Sequence, residues 1–505
     1  MTELSPLTTA IERAEVDALV VTVTEAGLSP AASTLDALLD GAISAARDAG
    51  ELRGAFAERT VVHTLGRLPA RVVLVLGLGR LERLDAFRVL NAHHFAADRL
   101  RGLGAHSAAL SLDPAVAAEL RRQTGDGSAA LRAAATGIAL GNVDRERRRS
   151  TPPKHPALDR VEVGLERGGA EGDDLRWAAT LAVAIDRARA MAVEPANLLT
   201  PQLLADQARE LCKGTTLQVE VLERDALEEA AMGALLGVGQ GSANPPVLIT
   251  VRHRGGRKGG PVLAFVGKGI TFDTGGISLK PAAGMEEMKF DMSGAAAVLV
   301  ALRAINDLNL PIDVIGVVPS AENMPSSTAT KPGDVHTSLS GKTIEVVNTD
   351  AEGRLILADG LEWARRQGAT HLVDIATLTG ACVVALGHAS GGLMSNDREL
   401  SAAVLDAARR AGDRFTELPL HPEYEVCLES DVADMKNSGG RPAGAINAAV
   451  FLREFVGEVP WVHLDIAGSS WGPGGDQKQL PKGPNGAPVR TLVGLAAAMA
   501  GSPTA

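Results

Sequence analysis

Val262-Leu263-Ala264-Phe265-Val266 runs directly into Gly267-Lys268-Gly269-Ile270-Thr271-Phe272-Asp273-Thr274-Gly275-Gly276, so five apolar residues give way at once to glycines, a lysine and an aspartate. An apolar run this short, rich in β-branched and aromatic residues and closed by glycine, reads as a buried strand. Comparable runs at 217–222, 247–251, 314–318, 371–375 and 461–464 extend the pattern and predict an α/β domain with a central mixed sheet flanked by helices. In open sheets of this kind the reactive groups lie on loops just past the carboxyl ends of strands. The polar stretches 267–293 and 348–354 are therefore where chemistry is expected.

Toward the N-terminus the same alternation appears on a smaller scale. The strand-like runs 19–23 and 72–76 alternate with Ala- and Leu-rich stretches such as 85–103, which predicts a first, smaller α/β domain over 1–165. Pro152, Pro153 and Pro156 then punctuate the chain, and 173–193 reads as one long Ala-rich helix stopped by Pro195. That helix is expected to serve as the connector, 166–195, to a larger catalytic domain over 196–505. A chain of 505 residues with 45% hydrophobic and 22% charged residues has the balance needed for two such cores.

The polar residues past the 262–266 strand form a dense set. Lys268, Asp273, Lys280 and Asp291 are followed by Asn348-Thr349-Asp350-Ala351-Glu352-Gly353-Arg354. On an extended segment, Asp350 and Glu352, two apart, present their carboxylates to one side, and Arg354 continues that phase toward a helix. Four carboxylates, Asp273, Asp291, Asp350 and Glu352, would balance the four positive charges of two divalent ions. Oxygen-rich donors without histidine favour Mn²⁺ or Mg²⁺, and Zn²⁺ also accepts carboxylate oxygens, so residue types leave the metal open.

The segments 266–273 and 348–355 resemble the leucyl aminopeptidase (cytosol aminopeptidase, M17) family of dinuclear metallopeptidases, the second being that family's signature. The likeness continues through Ala376-Thr377-Leu378-Thr379-Gly380-Ala381 and Trp461-Val462-His463-Leu464-Asp465-Ile466-Ala467-Gly468 and spans essentially 190–500. The resemblance implies that Asp273 and Glu352 bridge two ions, that Lys268 and Asp291 complete one site, and that Asp350 completes the more exchangeable one. A lysine that ligates must be a neutral amine, which an adjacent dication makes accessible by displacing the proton. The resemblance further implies that Lys280 remains a cation facing the oxyanion and that Arg354 holds a bicarbonate ion as proton shuttle. Met288, Thr377, Leu378 and Gly380 match positions that line the first side-chain pocket or bind peptide backbone. It also implies cleavage of N-terminal, leucine-like residues from short peptides by a homohexamer. Three departures stand out: Ser469-Ser470-Trp471 where several relatives carry a methionine, Ser293 for glycine and Thr274 for serine.

Other readings fail on particular residues. A phosphate-binding loop needs glycine at 262 and Ser or Thr at 269, where Val262 and Gly269 stand. Gly77-Leu78-Gly79 has Glu82 at the third glycine position of a dinucleotide fingerprint and reads as a tight turn. HExxH, GxSxG and paired Cys/His patterns are missing, which removes histidine-ligated zinc proteases and serine hydrolases, and a two-metal phosphoesterase is the rival enzyme class. The formal charge of -11 disfavours nucleic acid as a partner, and with it the alternative of a DNA-binding regulatory relative. Arg145 and Arg147-Arg148-Arg149, the densest basic run, read as a solvated helix end or linker. Cys212, Cys382 and Cys427 are too few and scattered for a disulfide framework and read as reduced, mostly buried thiols. The absence of a signal-like N-terminus and of a long apolar segment predicts a cytoplasmic protein without membrane contact.

Overall fold

The computed structural model describes residues 2–143, 148–152, 155–165, 168–169, 172–472 and 481–501. Arg145, Arg147 and Pro153 lie outside these. The chain divides into two compact units, the first formed by Met1–Asp186 with Arg409–Asp413 and the second taking up the chain from Arg187. The helix predicted over 173–193 is observed as Gly172–Val193, and the division falls within it.

The first unit is built on a sheet in the order Glu3–Pro6, Arg160–Leu165, Ser107–Leu112, Ala18–Thr24, Val72–Gly77, Arg59–His63, parallel throughout except for the last strand. Its central strands Ala18–Thr24 and Val72–Gly77 are buried at every position, Thr22 and Thr24 included, because both faces are covered. Ala18, Val20, Leu74 and Leu76 pack with helices Ala86–Gly102 and Ala129–Gly141. Leu19, Val21, Val23, Val73 and Val75 pack on the opposite face with helices Pro30–Leu38 and Ala42–Asp48. The period of two along each strand thus feeds two separate cores. Asp85 starts the helix Ala86–Gly102 as its N-cap, accepting from the Arg88 N–H at 2.9 Å. Gly79 has φ +81°, in keeping with a tight turn after Val72–Gly77.

The second unit carries a larger mixed sheet, ordered Phe415–Glu417, Gly391–Ser395, Trp461–Asp465, His371–Ala376, Val262–Gly267, Asp313–Asn323, Val247–Arg254, Gln218–Leu222. Trp461–Asp465, His371–Ala376, Val262–Gly267 and Asp313–Asn323 form a parallel centre, and Val247–Arg254 and Gln218–Leu222 are antiparallel additions on one side. Ala264 and Val266 pack into a core with Leu355, Ile356 and Leu361 of helix Glu352–Arg366 and with Phe451 and Leu452 of helix Gly444–Arg453. Each strand read from the sequence is present, most of them longer at the carboxyl end, where the functional side chains lie. Cys212 and Cys382 are buried free thiols and Cys427 is exposed. Among the described residues no helix is long and apolar enough to cross a membrane.

Candidate active site

Lys268 occupies a one-residue gap between the strands Val262–Gly267 and Gly269–Asp273, both of which pair in parallel with the single long strand Asp313–Asn323. Its N–H donates to Ile375 O and its carbonyl accepts from the Ala295 N–H, each at 2.9 Å, so the backbone is pinned from both sides. The buried ammonium lies 2.8 Å from Asp291 Oδ2 and 2.8 Å from Glu352 Oε1, and donates to Thr377 O at 3.1 Å. A Cβ on Gly353 would fall 2.6 Å from Lys268 Cε and 2.7 Å from Nζ. This turn of helix Glu352–Arg366 therefore carries glycine because the lysine fills the space a side chain would need.

The other carboxylates arrive from separate elements. Asp273 closes the strand Gly269–Asp273, and its Oδ1 accepts from the Gly275 N–H and from Asn323 Nδ2, both at 2.8 Å. Asp291 lies between the 3-10 turn Met285–Phe290 and helix Ser293–Asp307, and accepts from Thr377 Oγ1 at 2.7 Å. Lys280 Nζ pairs with Asp273 Oδ2 at 2.8 Å and with Asp350 Oδ1. The reading of Asp350 to Arg354 as one extended phase needs correction. Asp350 sits in a turn, its N–H bonded to Asn348 Oδ1 at 3.0 Å, whereas Glu352 is already the first residue of the helix Glu352–Arg366. The two carboxylates converge because the chain turns between them.

Burial and mutual repulsion dominate the electrostatics. Burial raises Asp291 to about 8 even with Lys268 beside it. Glu352 is raised by burial and by Asp273, and Asp350 by burial. For Lys268 burial opposes the charge, but Asp291, Glu352 and Asp273 hold its pKa above the ordinary lysine value. Lys280, half in the same field, is likewise raised by Asp273 and Glu352 against burial. Burial brings Arg354 down to about 10, against the pull of Glu352 and Asp465, which leaves it a cation at neutral pH. Its Nη1 donates to Asn437 O at 2.8 Å, and its buried Nε has no partner.

The donor set fits divalent ions. Carboxylate oxygens of Asp273, Asp350 and Glu352 lie within 4.8 Å of one another. Glu352 Oε2 is buried and meets no hydrogen-bond donor, and Oε1 and Asp291 Oδ2 face Lys268 as ion-pair partners without hydrogen-bond geometry. Buried carboxylate oxygens left in this way are costly unless a cation takes them up.

Of the residues predicted from the sequence, Lys268, Asp273, Lys280, Asp291, Asp350 and Glu352 come together, and Thr377 joins them through Asp291 and Lys268. Leu378 is half-buried against the core and its N–H donates to Asp465 Oδ1 at 3.3 Å. Gly380 is exposed at the start of helix Gly380–Leu386, and Met288 is half-exposed on its 3-10 turn rather than packed in the core. Among the departures, Thr274 Oγ1 donates to Asn323 O at 2.7 Å and Ser293 Oγ to Phe290 O at 2.6 Å. The hydroxyls of Ser469 and Ser470 are buried without partners, and Trp471 packs on Phe290 with ring centroids 5.4 Å apart. Two organising residues escaped the sequence reading. Asn323 bridges Asp273 and Thr349 O, and Asn437 ties Arg354 to the Asn348 turn through its own carbonyl and amide. A single asparagine at a strand end or in a loop has no periodicity to mark it; the polar residues that follow the 314–318 run and the Asn-Ser-Gly-Gly turn at 437–440 were the signals on offer.

Residues 186–493 match the Cytosol aminopeptidase family, catalytic domain, and residues 19–152 match the Cytosol aminopeptidase family, N-terminal domain. A probable cytosol aminopeptidase of Solibacter usitatus (strain Ellin6076) is 48% identical over 88% of this chain and 91% of its own. Among solved structures, a mutant of tomato leucine aminopeptidase superposes with a TM-score of 0.87 at 32% identity, covering 98% of this chain and 96% of that one. The bottromycin maturation enzyme BotP in complex with Mn superposes with a TM-score of 0.82 at 34% identity, covering 96% of this chain and 100% of that one. With both of its domains matched and relatives this similar along nearly its whole length, the chain belongs to the cytosol aminopeptidase (M17) family and is an aminopeptidase.

Proposed function

We propose that the protein is a two-metal aminopeptidase that releases N-terminal, preferentially leucine-like residues from short peptides. The observation that carries this reading is the convergence of Asp273, Asp350 and Glu352 around one point, with buried Glu352 oxygens that no donor satisfies. Asp273 and Glu352 would be shared between two ions, Lys268 and Asp291 would complete one, and Asp350 the more exposed other. Two divalent ions bound there supply Lewis acidity toward a water and the scissile carbonyl, and an anchor for the free α-amine. BotP, a structural relative, has been solved with Mn, which makes Mn²⁺ a first ion to try beside Zn²⁺ and Mg²⁺.

The chain's own groups do the rest. Lys280, kept protonated by Asp273 and Glu352, donates to the oxygen that gains charge as the carbonyl becomes tetrahedral. Arg354, a buried cation with an unspent Nε donor, would hold a bicarbonate anion, which would supply an acceptor for the water's proton. Thr377, Leu378, Gly380 and Met288 contact the peptide backbone and the first side chain. The family likeness extends the proposal to a homohexamer in the cytoplasm, the acidic chain having no role on nucleic acid.

The test is hydrolysis of leucine p-nitroanilide and Leu-Gly by chelator-stripped protein before and after addition of Mn²⁺, Zn²⁺ or Mg²⁺. Activity restored by metal in the wild type and absent from Asp350→Ala is the expected result. Amino acid released equally with and without metal would overturn the two-metal reading.

A further inference from the structure

Asp465 is a fully buried carboxylate at the carboxyl end of the strand Trp461–Asp465, and the mechanism above gives it no role. Its acceptors are all directed at the next loop and its own turn. Oδ2 accepts from Thr379 Oγ1 at 2.7 Å, and Oδ1 accepts from the Leu378 N–H at 3.3 Å and the Ala467 N–H at 3.1 Å. A buried ionised carboxylate is expensive, and three donors plus the nearby Arg354 and His463 offset that cost.

What the carboxylate holds is the segment Thr377–Thr379, which reaches the candidate metal centre twice. Thr377 O accepts from Lys268 Nζ at 3.1 Å, and Thr377 Oγ1 donates to Asp291 Oδ1 at 2.7 Å. Both contacts fall on the same half of the cluster, the half where Lys268 and Asp291 meet. Thr379 is fixed from its other side as well, its Oγ1 accepting from the Cys382 N–H at 3.0 Å to cap helix Gly380–Leu386. One hydroxyl thus joins Asp465 to the helix start, and the short segment before it carries the two contacts to the ligands.

We propose that Asp465 and Thr379 are positioning residues that set the Lys268–Asp291 half of the centre through the Thr377 backbone and hydroxyl. The inference rests on the two-metal reading of the site. Partners that orient metal ligands in this way typically govern affinity by about 10- to 100-fold. Among the described residues Asp350, on the other half, receives no hydrogen bond from this segment, so the effect is confined to one of the two ions.

The experiment uses the full chain and compares wild type with Thr379→Val, Thr379→Ser and Asp465→Asn. Mn²⁺ is titrated into chelator-stripped protein to obtain the two dissociation constants, alongside kcat for leucine p-nitroanilide and Tm. Thr379→Val is expected to weaken one of the two Mn²⁺ sites by about 10- to 100-fold and leave the other within about twofold. Asp465→Asn, which removes the acceptor for the hydroxyl but spares the helix cap, follows it in the same site. Thr379→Ser keeps both hydrogen bonds and restores the wild-type constants. Equal constants in all four proteins overturn the proposal, as does equal weakening of both sites together with a lowered Tm, since that is the mark of general loosening. The two readings fail separately. A wild type that binds two Mn²⁺ without releasing amino acid overturns the peptidase reading and leaves the dissociation constants to decide this one; a wild type that binds none overturns both.

Discussion

The two units use the same architecture and differ in what stands at the ends of their strands. Each has a mostly parallel central sheet with both faces buried. In the first unit the charged residues after the strands are spent locally. Glu25, after Ala18–Thr24, pairs with Arg80 at 2.9 Å on the surface, and Asp113, after Ser107–Leu112, accepts from the Ala115 N–H to start the helix Pro114–Thr124. In the second unit Lys268, Asp273, Asn323, Thr377 and Asp465 occupy the corresponding places, and all five are buried. The fold is thus a frame that permits chemistry at strand ends without supplying it, and the residue types placed there decide.

The largest expected effect sharpens this contrast on the second unit. Lys280→Ala removes the cation facing the developing oxyanion and is expected to lower kcat on leucine p-nitroanilide by about 10²–10³-fold, with Mn²⁺ binding retained. A kcat within a few fold of wild type would mean that Lys280 only balances Asp273 and Asp350.

An intermediate effect comes from two buried histidines of opposite sign. His93 in the first unit donates through Nδ1 to Val89 O at 2.7 Å, and burial lowers it from 6.5 to about 4. The unfolded chain therefore takes up a proton below pH 6.5 that the folded chain refuses, and stability is lost as pH falls toward 4. At pH 5 this amounts to about 2 kcal/mol. His463 in the second unit is buried too, but Asp374 at 2.6 Å raises its pKa despite that burial. Its contribution is present below pH 6.5 and is lost as pH rises through the folded value. Melting curves at pH 7 and pH 5 should show a smaller acid-induced drop in His93→Gln than in wild type; equal drops would remove His93 from the account.

The smallest effect tests the inert end of the comparison. Asp113→Ala deletes a helix cap and should cost about 1 kcal/mol of stability with kcat unchanged. A fall in kcat beyond about twofold would show that the first unit's strand ends are not spent locally after all.

The sequence made the strands legible because a buried run such as Val262 to Val266 needs no partner to be recognised, and the carboxylates legible because they crowd into apolar surroundings. It located Lys268 and Asp291 without showing what holds them. Thr377 contacts both from 86 or more residues away, and such a contact leaves no local pattern. The turn between Asp350 and Glu352 was hidden for a different reason: spacing of two fits a strand or a turn before a helix equally, and only the cap geometry decides. Asn323, Asn437 and Asp465 act through hydrogen bonds to other loops, where residue type alone carries almost no information.

Gly353 gives this a practical edge. It carries no charge, donates nothing to substrate and touches the lysine only by leaving room for it. In a mutational scan it would nonetheless score like a ligand, since every larger residue displaces Lys268 by excluded volume. Intolerance to substitution near such a centre therefore marks two different things, groups that react and vacancies that must stay vacant, and only the structure tells one from the other.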